Sequence, residues 1–321
     1  MHHICTYFDS NFLPRGLALY ESIARNSKGF IFYVLTLDEE CQKSLEELGK
    51  ENIKVISLEE YKTYFKIDMN KYVNKKEFYF SVTPGLCLYV MQEYKGVDIL
   101  LYLDADVYLF NDLEIVYNEI GDASITMCSH RLPWYISLFS KNYGIYNVGV
   151  NAFRNDQEGL KCIEDWFNDC IMWKSGQKGY PLPFFSDQIW LDKWPQKYNN
   201  IRIIDHIGIN VAPWNAIQYK FSKRDQRYFI NNMPLVIYHF SSLKRMSLDM
   251  WHGNTSFTIH NISGTLEDIY KIYINNILKY ETNINIHTVN LNFEGNKIKM
   301  LIHTFLKKLH KHTVNVKKDH D

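Results

Sequence analysis

The sequence predicts an α/β fold, a mostly parallel sheet flanked by helices, with a helical extension at its carboxy-terminal end. Strand-like and helix-like runs alternate through residues 4–120, and the strand runs are apolar at consecutive positions, as in strands covered on both faces. The composition, 46% apolar with 19 Phe, 23 Tyr and 7 Trp, supplies core area that a solvated chain lacks.

Taken in order, residues 4–8 are a short β-rich run, and residues 14–25 have helical spacing with Pro14 in the first turn, where a missing N–H is tolerated. Residues 30–37 read as a second strand, 39–50 as a charged helix and 53–57 as a third strand. An apolar helix over 83–94, which Pro84 can start, precedes the strand 98–103. Beyond residue 123 the pattern is mixed: strands at 124–128 and 146–153 flank the aromatic loop 130–144, and a long helix covers 155–174. A short helix at 187–193, a strand at 235–240 and a helix at 265–280 follow. This divides into a main unit over 1–260, with halves near 1–120 and 121–260, and an extension over 261–321. By length alone, about two domains or one large α/β domain fit equally well.

The charge balance, 36 Lys plus Arg against 36 Asp plus Glu, argues against a protein that coats nucleic acid. The zero conceals a segregation. Residues 297–321 hold 7 Lys and 2 Asp, a net of +5, so the preceding residues carry a net of −5. Within the basic segment Ile298, Leu301, Ile302, Phe305 and Leu309 share one helical face. Such a basic amphipathic helix either lies in an anionic membrane surface or packs on protein. Six scattered Cys without metal-type spacing read as reduced thiols, no signal peptide precedes the first strand, and no apolar run approaches the roughly 18 residues of a membrane span. A cytoplasmic location is expected, with peripheral attachment through the basic helix as the open alternative.

The most informative segment is DILLYLDADVYLF. Asp104 and Asp106 follow a buried strand, and ligands of a parallel sheet collect beyond the carboxyl ends of its strands. Two acidic residues there are costly unless paired or bound to a cation. At positions i and i+2 they can share one hard ion, with Mg²⁺ and Mn²⁺ suited to such oxygen ligands. Asp-x-Asp alone is weak, and Asp319 and Asp321 in the polar tail repeat it without meaning.

The strand-terminal LYLDADVYLF resembles the metal-binding motif of nucleotide-sugar glycosyltransferases with the A-type, Rossmann-like fold, and the surrounding segments are similar to family 8 glycosyltransferases and related bacterial transferases. The likeness runs from residue 4 to about residue 244. It implies that ICTYFDSNF supplies Thr6, Tyr7 and Asp9 to the base and ribose, the alternative being that Asp9 merely caps or solvates the strand-to-helix turn. YNVGVNAF matches an Asn-x-Gly-Val strand in which Asn147 bonds the donor sugar and Gly149 allows close backbone approach. FFSDQIWLD matches the first two residues of an Asp-Gln-Asp element, with Ile189 in place of the third: Asp187 binds donor-sugar hydroxyls and Gln188 lies near the anomeric carbon, or Asp187 simply caps the short helix. VIYHFSSLKR resembles the closing His-x-x-Gly-x-x-Lys element, implying His239 as third metal ligand and Lys244 on the diphosphate. Lys244 comes five residues after His239 instead of six, Arg245 takes the sixth place, and Ser242 stands where Gly is expected.

The resemblance therefore implies a metal-dependent, retaining transfer of a hexosyl group from a nucleoside-diphosphate sugar, with UDP favoured, to a saccharide or glycolipid in surface glycan synthesis. Mn²⁺ or Mg²⁺ is the implied cofactor. INVAPWN also resembles related transferases, so Asn210 or Trp214 is a candidate for the donor or acceptor site. Trp134 and Tyr135, too apolar for an ordinary exposed loop, are candidates for stacking on an acceptor sugar or for a small core. A sugar-phosphate nucleotidyltransferase or a noncatalytic glycan-binding module are the competing classes; the first is expected to carry a Gly-rich loop after its first strand, and TYFDSNFLPRG is poor in Gly.

Overall fold

The computed structural model describes residues 1–72, 75–137, 144–172, 187–253, 261–283 and 313–316. The predicted basic helix 297–312 and residues 138–143 of the aromatic loop lie outside them.

Seven strands form the central sheet: β1 (His2–Phe8), β2 (Phe30–Thr36), β3 (Ile53–Ser57), β4 (Ile99–Leu103), β6 (Ile125–Ser129), β7 (Tyr146–Arg154) and β8 (Ile201–Ile203), in the order β3-β2-β1-β4-β7-β6-β8. The short strand β5 (Val107–Leu109) belongs to a separate two-stranded pairing. Only β7 runs against the others, being antiparallel to both β4 and β6. The predicted mostly parallel sheet is therefore present, with one reversed strand between β4 and β6.

Strand alternation decides what each face touches. Cys5, Tyr33, Leu35, Leu100 and Tyr102 point to one side, where α3 (Leu58–Tyr64), α4 (Lys75–Glu93) and α7 (Gln157–Met172) bring Tyr61, Leu86 and Trp166. Ile4, Phe32, Val34, Leu101 and Leu103 point to the other, against α1 (Leu13–Asn26), α2 (Glu39–Glu47) and α5 (Glu114–Ile120) with Leu17, Leu45 and Val116. A third cluster gathers residues 211–251 around α9 (Thr265–Asn283), through Tyr238, Phe240, Trp251, Tyr270 and Tyr273. The intervening helices α6 (Trp134–Ser137) and α8 (Trp194–Lys197) are single turns. The helix α9 is also tied to α1, since Glu21 Oε2 accepts from Lys279 Nζ at 2.9 Å and Tyr280 Oη at 2.7 Å. All six cysteines are buried. Among the described residues no helix is long and apolar enough to cross a membrane.

Several elements differ from the sequence reading. The helix expected to start at Pro84 begins at Lys75, and Pro84 lies inside it. Proline there forfeits one helical hydrogen bond, but residues 81–91 are buried all round, and that burial outweighs the local preference. Gly85 permits the approach: a Cβ there would stand 1.9 Å from the Tyr61 hydroxyl. The helix α3, capped by Ser57 Oγ accepting from Glu60 N, carries too little apolar periodicity to have been read. The strand expected over 235–240 shortens to Ile237–His239 and pairs with β5 outside the main sheet.

Candidate functional site

The chain leaves β4 at Leu103, turns through Asp104-Ala105-Asp106, closed by Val107 N donating to Asp104 O at 3.2 Å, and enters β5. The β5 strand pairs antiparallel with Ile237–His239 in a register that sets Val107 opposite His239. Phe240 N donates to Asp106 O at 2.8 Å and His239 N to Val211 O at 2.7 Å. Two segments more than 130 residues apart in sequence thus place one imidazole over two carboxylates.

His239 Nε2 lies 3.1 Å from Asp106 Oδ1 and 3.6 Å from Asp104 Oδ2, with the imidazole only 5% exposed. One ligand atom from each of the three residues lies within 4.8 Å of the others. Adjacent ligands of an octahedral ion with bonds of about 2.1 Å are about 3 Å apart, and opposite ones about 4.2 Å. Two carboxylates and one imidazole at these separations fit a small divalent cation. Tyr102 Oη donates to Asp104 Oδ1 at 2.8 Å, orienting the carboxylate from behind. Burial raises the Asp104 carboxyl, with Asp106 adding to it against the pull of His239; Asp106 is net lowered, because His239 and then Arg15 overcome the burial. The imidazole is pushed down by burial but net raised by Asp106 and Asp104. The three groups share charge that a cation would complete.

Gly149 explains how the imidazole fits. A Cβ at this position of β7 would stand 2.6 Å from both Cε1 and Nδ1 of His239. The space above the glycine is thus filled by the imidazole. Gly149 O also accepts from Asp104 N at 3.0 Å. Its neighbour Asn147 is the hub of a buried amide network: Oδ1 accepts from Gly149 N and Asn210 Nδ2, both at 3.0 Å, while Nδ2 donates to Gln188 Oε1 at 2.9 Å. Gln188 Oε1 also accepts from Val148 N at 3.1 Å, so its carboxamide is locked onto β7.

Asp187 caps the 3₁₀ turn Gln188–Lys193, its Oδ1 accepting from Gln188 N at 2.9 Å. Burial and then the Asp104 charge push its carboxyl up to about 7. Tyr7 lies in the field of Asp187 and Asp104, and burial raises its phenol. Tyr7, Asp104 and Asp187 are therefore brought together. Thr6 is fully buried, and among the described residues its hydroxyl lacks a hydrogen-bond partner. Asp9 caps the turn after β1, Oδ1 accepting from Phe12 N at 3.0 Å.

At the other side, Trp214 packs edge-on against both His239 and His130, at 5.1 and 5.4 Å between centroids, and its Nε1 donates to His130 O. Trp134 and Tyr135 stand on α6, 78% and 38% exposed. Lys244 is exposed on the short strand Lys244–Arg245, which pairs with Met250–His252. Arg245 is committed elsewhere, with Nη1 on Glu281 Oε2 at 2.5 Å, Nη2 on Leu248 O at 2.9 Å and Nε on Ser247 O at 3.3 Å. Ser242 adopts φ 57°, the left-handed conformation that a glycine takes most easily. Sequence reasoning did not single out Tyr102, although its position two residues before Asp104 on one strand face was the available signal. It also passed over Arg15, which has no sequence signal beyond its place in the first turn of α1.

No protein-family profile matches the sequence. Two uncharacterised proteins of Bacillus subtilis strain 168 are similar to it: YfnD, 23% identical over 87% of this chain and 89% of that protein, and YfnF, 23% identical over 76% and 82%. Among solved structures the chain is similar to apo WbbM, a bifunctional glycosyltransferase, with a TM-score of 0.50 and 13% identity over 88% of this chain. The match spans 51% of the WbbM chain, about half its length. The sheet order, the reversed β7 and this likeness identify the fold as that of the A-type glycosyltransferases.

Proposed function

We propose that this chain is a divalent-metal-dependent glycosyltransferase that moves a hexosyl group from a nucleoside-diphosphate sugar, with UDP as the favoured nucleotide, to a saccharide or lipid-linked saccharide. The observation that carries the reading is the Asp104, Asp106 and His239 cluster at the carboxyl end of β4, the place where this architecture binds ligands. Mn²⁺ or Mg²⁺ held there would offset the charge of the departing diphosphate.

The chain's own residues supply the rest. Tyr102 fixes Asp104, and Gly149 leaves His239 room to face both carboxylates. Tyr7 and Asp9, with Thr6 beneath them, border the nucleoside. Asp187, a carboxyl poised near neutrality beside Asp104, takes donor-sugar hydroxyls. Asn147 and Gln188 hold one another and shape the sugar pocket, with Gln188 nearest the anomeric carbon. Retention of configuration follows from the resemblance to family 8. Trp214, against the imidazole, lines the boundary between donor and acceptor, and exposed Trp134 and Tyr135 offer faces for an acceptor saccharide. A role in surface glycan synthesis belongs to the same reading.

Incubation with a panel of nucleotide sugars and Mn²⁺, with release of nucleoside diphosphate as readout, tests it. Turnover with one donor, lost in Asp106→Ala, is expected. Equal turnover in the variant, or no turnover and no metal-dependent nucleotide binding in either protein, would overturn the proposal.

A further inference from the structure

Given the glycosyltransferase reading on which this rests, we infer that Arg15, in the first turn of α1, is the side chain that receives the diphosphate of the donor, in place of the cation that the closing His-x-x-Gly-x-x-Lys element would supply. The two cations of that element are poorly placed for it. Lys244 is shifted by one position and exposed, and all three guanidinium nitrogens of Arg245 are bonded to Glu281, Leu248 and Ser247.

Arg15 is in the opposite condition. The side chain is partly buried, and among the described residues it makes one hydrogen bond, Nη2 to Leu243 O at 2.9 Å, and no ion pair. Leu243 is four residues past His239, so this bond draws the guanidinium to the segment that carries the third ligand. The plane rests on Phe12, with Cζ 4.7 Å from the ring centroid, which limits its rotation. Leu243 N donates to Phe240 O at 3.0 Å and Phe240 N to Asp106 O at 2.8 Å, so the turn that holds the guanidinium is bonded directly to the segment of the proposed ligand set. Among the described residues Nε and Nη1 have no hydrogen-bond acceptor. A partly buried guanidinium near a metal site, with donor nitrogens open, is matched by phosphate oxygens bound to that metal.

A second observation marks the same place. Tyr273 of α9 is fully buried, stacked on Phe240 at 4.0 Å, and among the described residues its hydroxyl has no hydrogen-bond partner. It lies in the field of both Arg15 and Asp106.

Calorimetric titration of the full chain, first with Mn²⁺ alone and then with UDP, GDP, ADP, CDP and dTDP in the presence of Mn²⁺, separates the alternatives. Arg15→Ala is expected to weaken the best diphosphate by about 10- to 100-fold. Mn²⁺ alone should bind as well or more tightly, because a cation beside Asp106 is gone. Arg15→Gln, which keeps a polar side chain without the charge, should show the same split, and Arg15→Lys should recover part of the affinity. Unchanged diphosphate binding in Arg15→Ala and Arg15→Gln, with loss in Asp106→Ala, overturns the role of Arg15 and leaves the transferase reading intact. Parallel loss of Mn²⁺ and diphosphate with early melting makes Arg15 a structural tie and likewise overturns it. A wild-type protein that binds none of the five with Mn²⁺ removes the transferase reading and Arg15 with it.

Discussion

Replacement of Gly149 by alanine is a direct test of how the site is assembled. The added methyl would stand 2.6 Å from Cε1 and Nδ1 of His239 and 2.9 Å from Asn147 Oδ1, about 1 Å closer than ordinary contact on the imidazole side. The imidazole has little freedom to yield. His239 is 4% exposed, and its backbone is held by Val211 O at 2.7 Å and by the register with Val107. A shift of about 1 Å opens the 3.1 Å contact between Nε2 and Asp106 and carries the third ligand away from the carboxylates. Overpacking of this kind costs about 1–3 kcal/mol of stability, and displacing a ligand costs about 10- to 100-fold in metal affinity. Mn²⁺ titration followed by electron paramagnetic resonance, with thermal unfolding in parallel, measures both. Gly96→Ala is the control: a Cβ there meets nothing within 4 Å, but φ is 86°, so about 1–2 kcal/mol of backbone strain is expected without any change in Mn²⁺ affinity. Gly149→Ala with Mn²⁺ affinity within about twofold of wild type and unchanged melting would refute the claim that the glycine makes room for the ligand.

Three further outcomes follow from the same geometry. His130 is 7% exposed and burial pushes its imidazole down to about 4, so its neutral form is favoured in the fold. Its contribution is present above pH 6.5 and is lost as pH falls toward 4, about 3 kcal/mol in all, and urea midpoints of His130→Asn should show a shallower loss over that window. For Asp187 the sign is reversed. Its folded value of about 7 lies above the ordinary 3.8, so stability is present at low pH and lost as pH rises through 7; because Asp104 is the second cause, Asp104→Asn in chelator should be more stable than wild type at pH 8, and equal or lower stability contradicts the coupling. Glu281→Ala frees Arg245 and should cost about 1 kcal/mol in chemical denaturation, since the pair is 22% and 16% exposed, while leaving Mn²⁺ affinity unchanged.

The legibility of this protein varied with the range of the interactions involved. Strands β1 and β2 announce themselves because each is a run with side chains buried on both faces, a pattern written in consecutive residues, whereas β3 at the sheet edge is marked only by Ile53, Val55 and Ile56 around exposed Lys54. The strand ending at Leu103 is equally plain, and with it the exit of Asp104 and Asp106 where ligands collect. Local rules misplaced the start of α4, because Pro84 and Gly85 are set by contact with Tyr61 and the surrounding core. They also gave no hint that β7 reverses, since antiparallel pairing with β4 and β6 depends on where the chain returns.

The sequence by itself determined the α/β alternation, the carboxylate pair at a strand end and the presence of an amide-bearing strand, because propensity and periodicity are properties of neighbouring residues. Tertiary structure decided what those groups do to one another. It placed His239 over Asp104 and Asp106 by pairing Ile237–His239 with β5, and gave Gly149 its purpose under the imidazole. It engaged Arg245 with Glu281 and drew Arg15 of α1 to Leu243. Coulombic and hydrogen-bond energies depend on separations of a few ångströms between residues remote along the chain, and only folding fixes those separations.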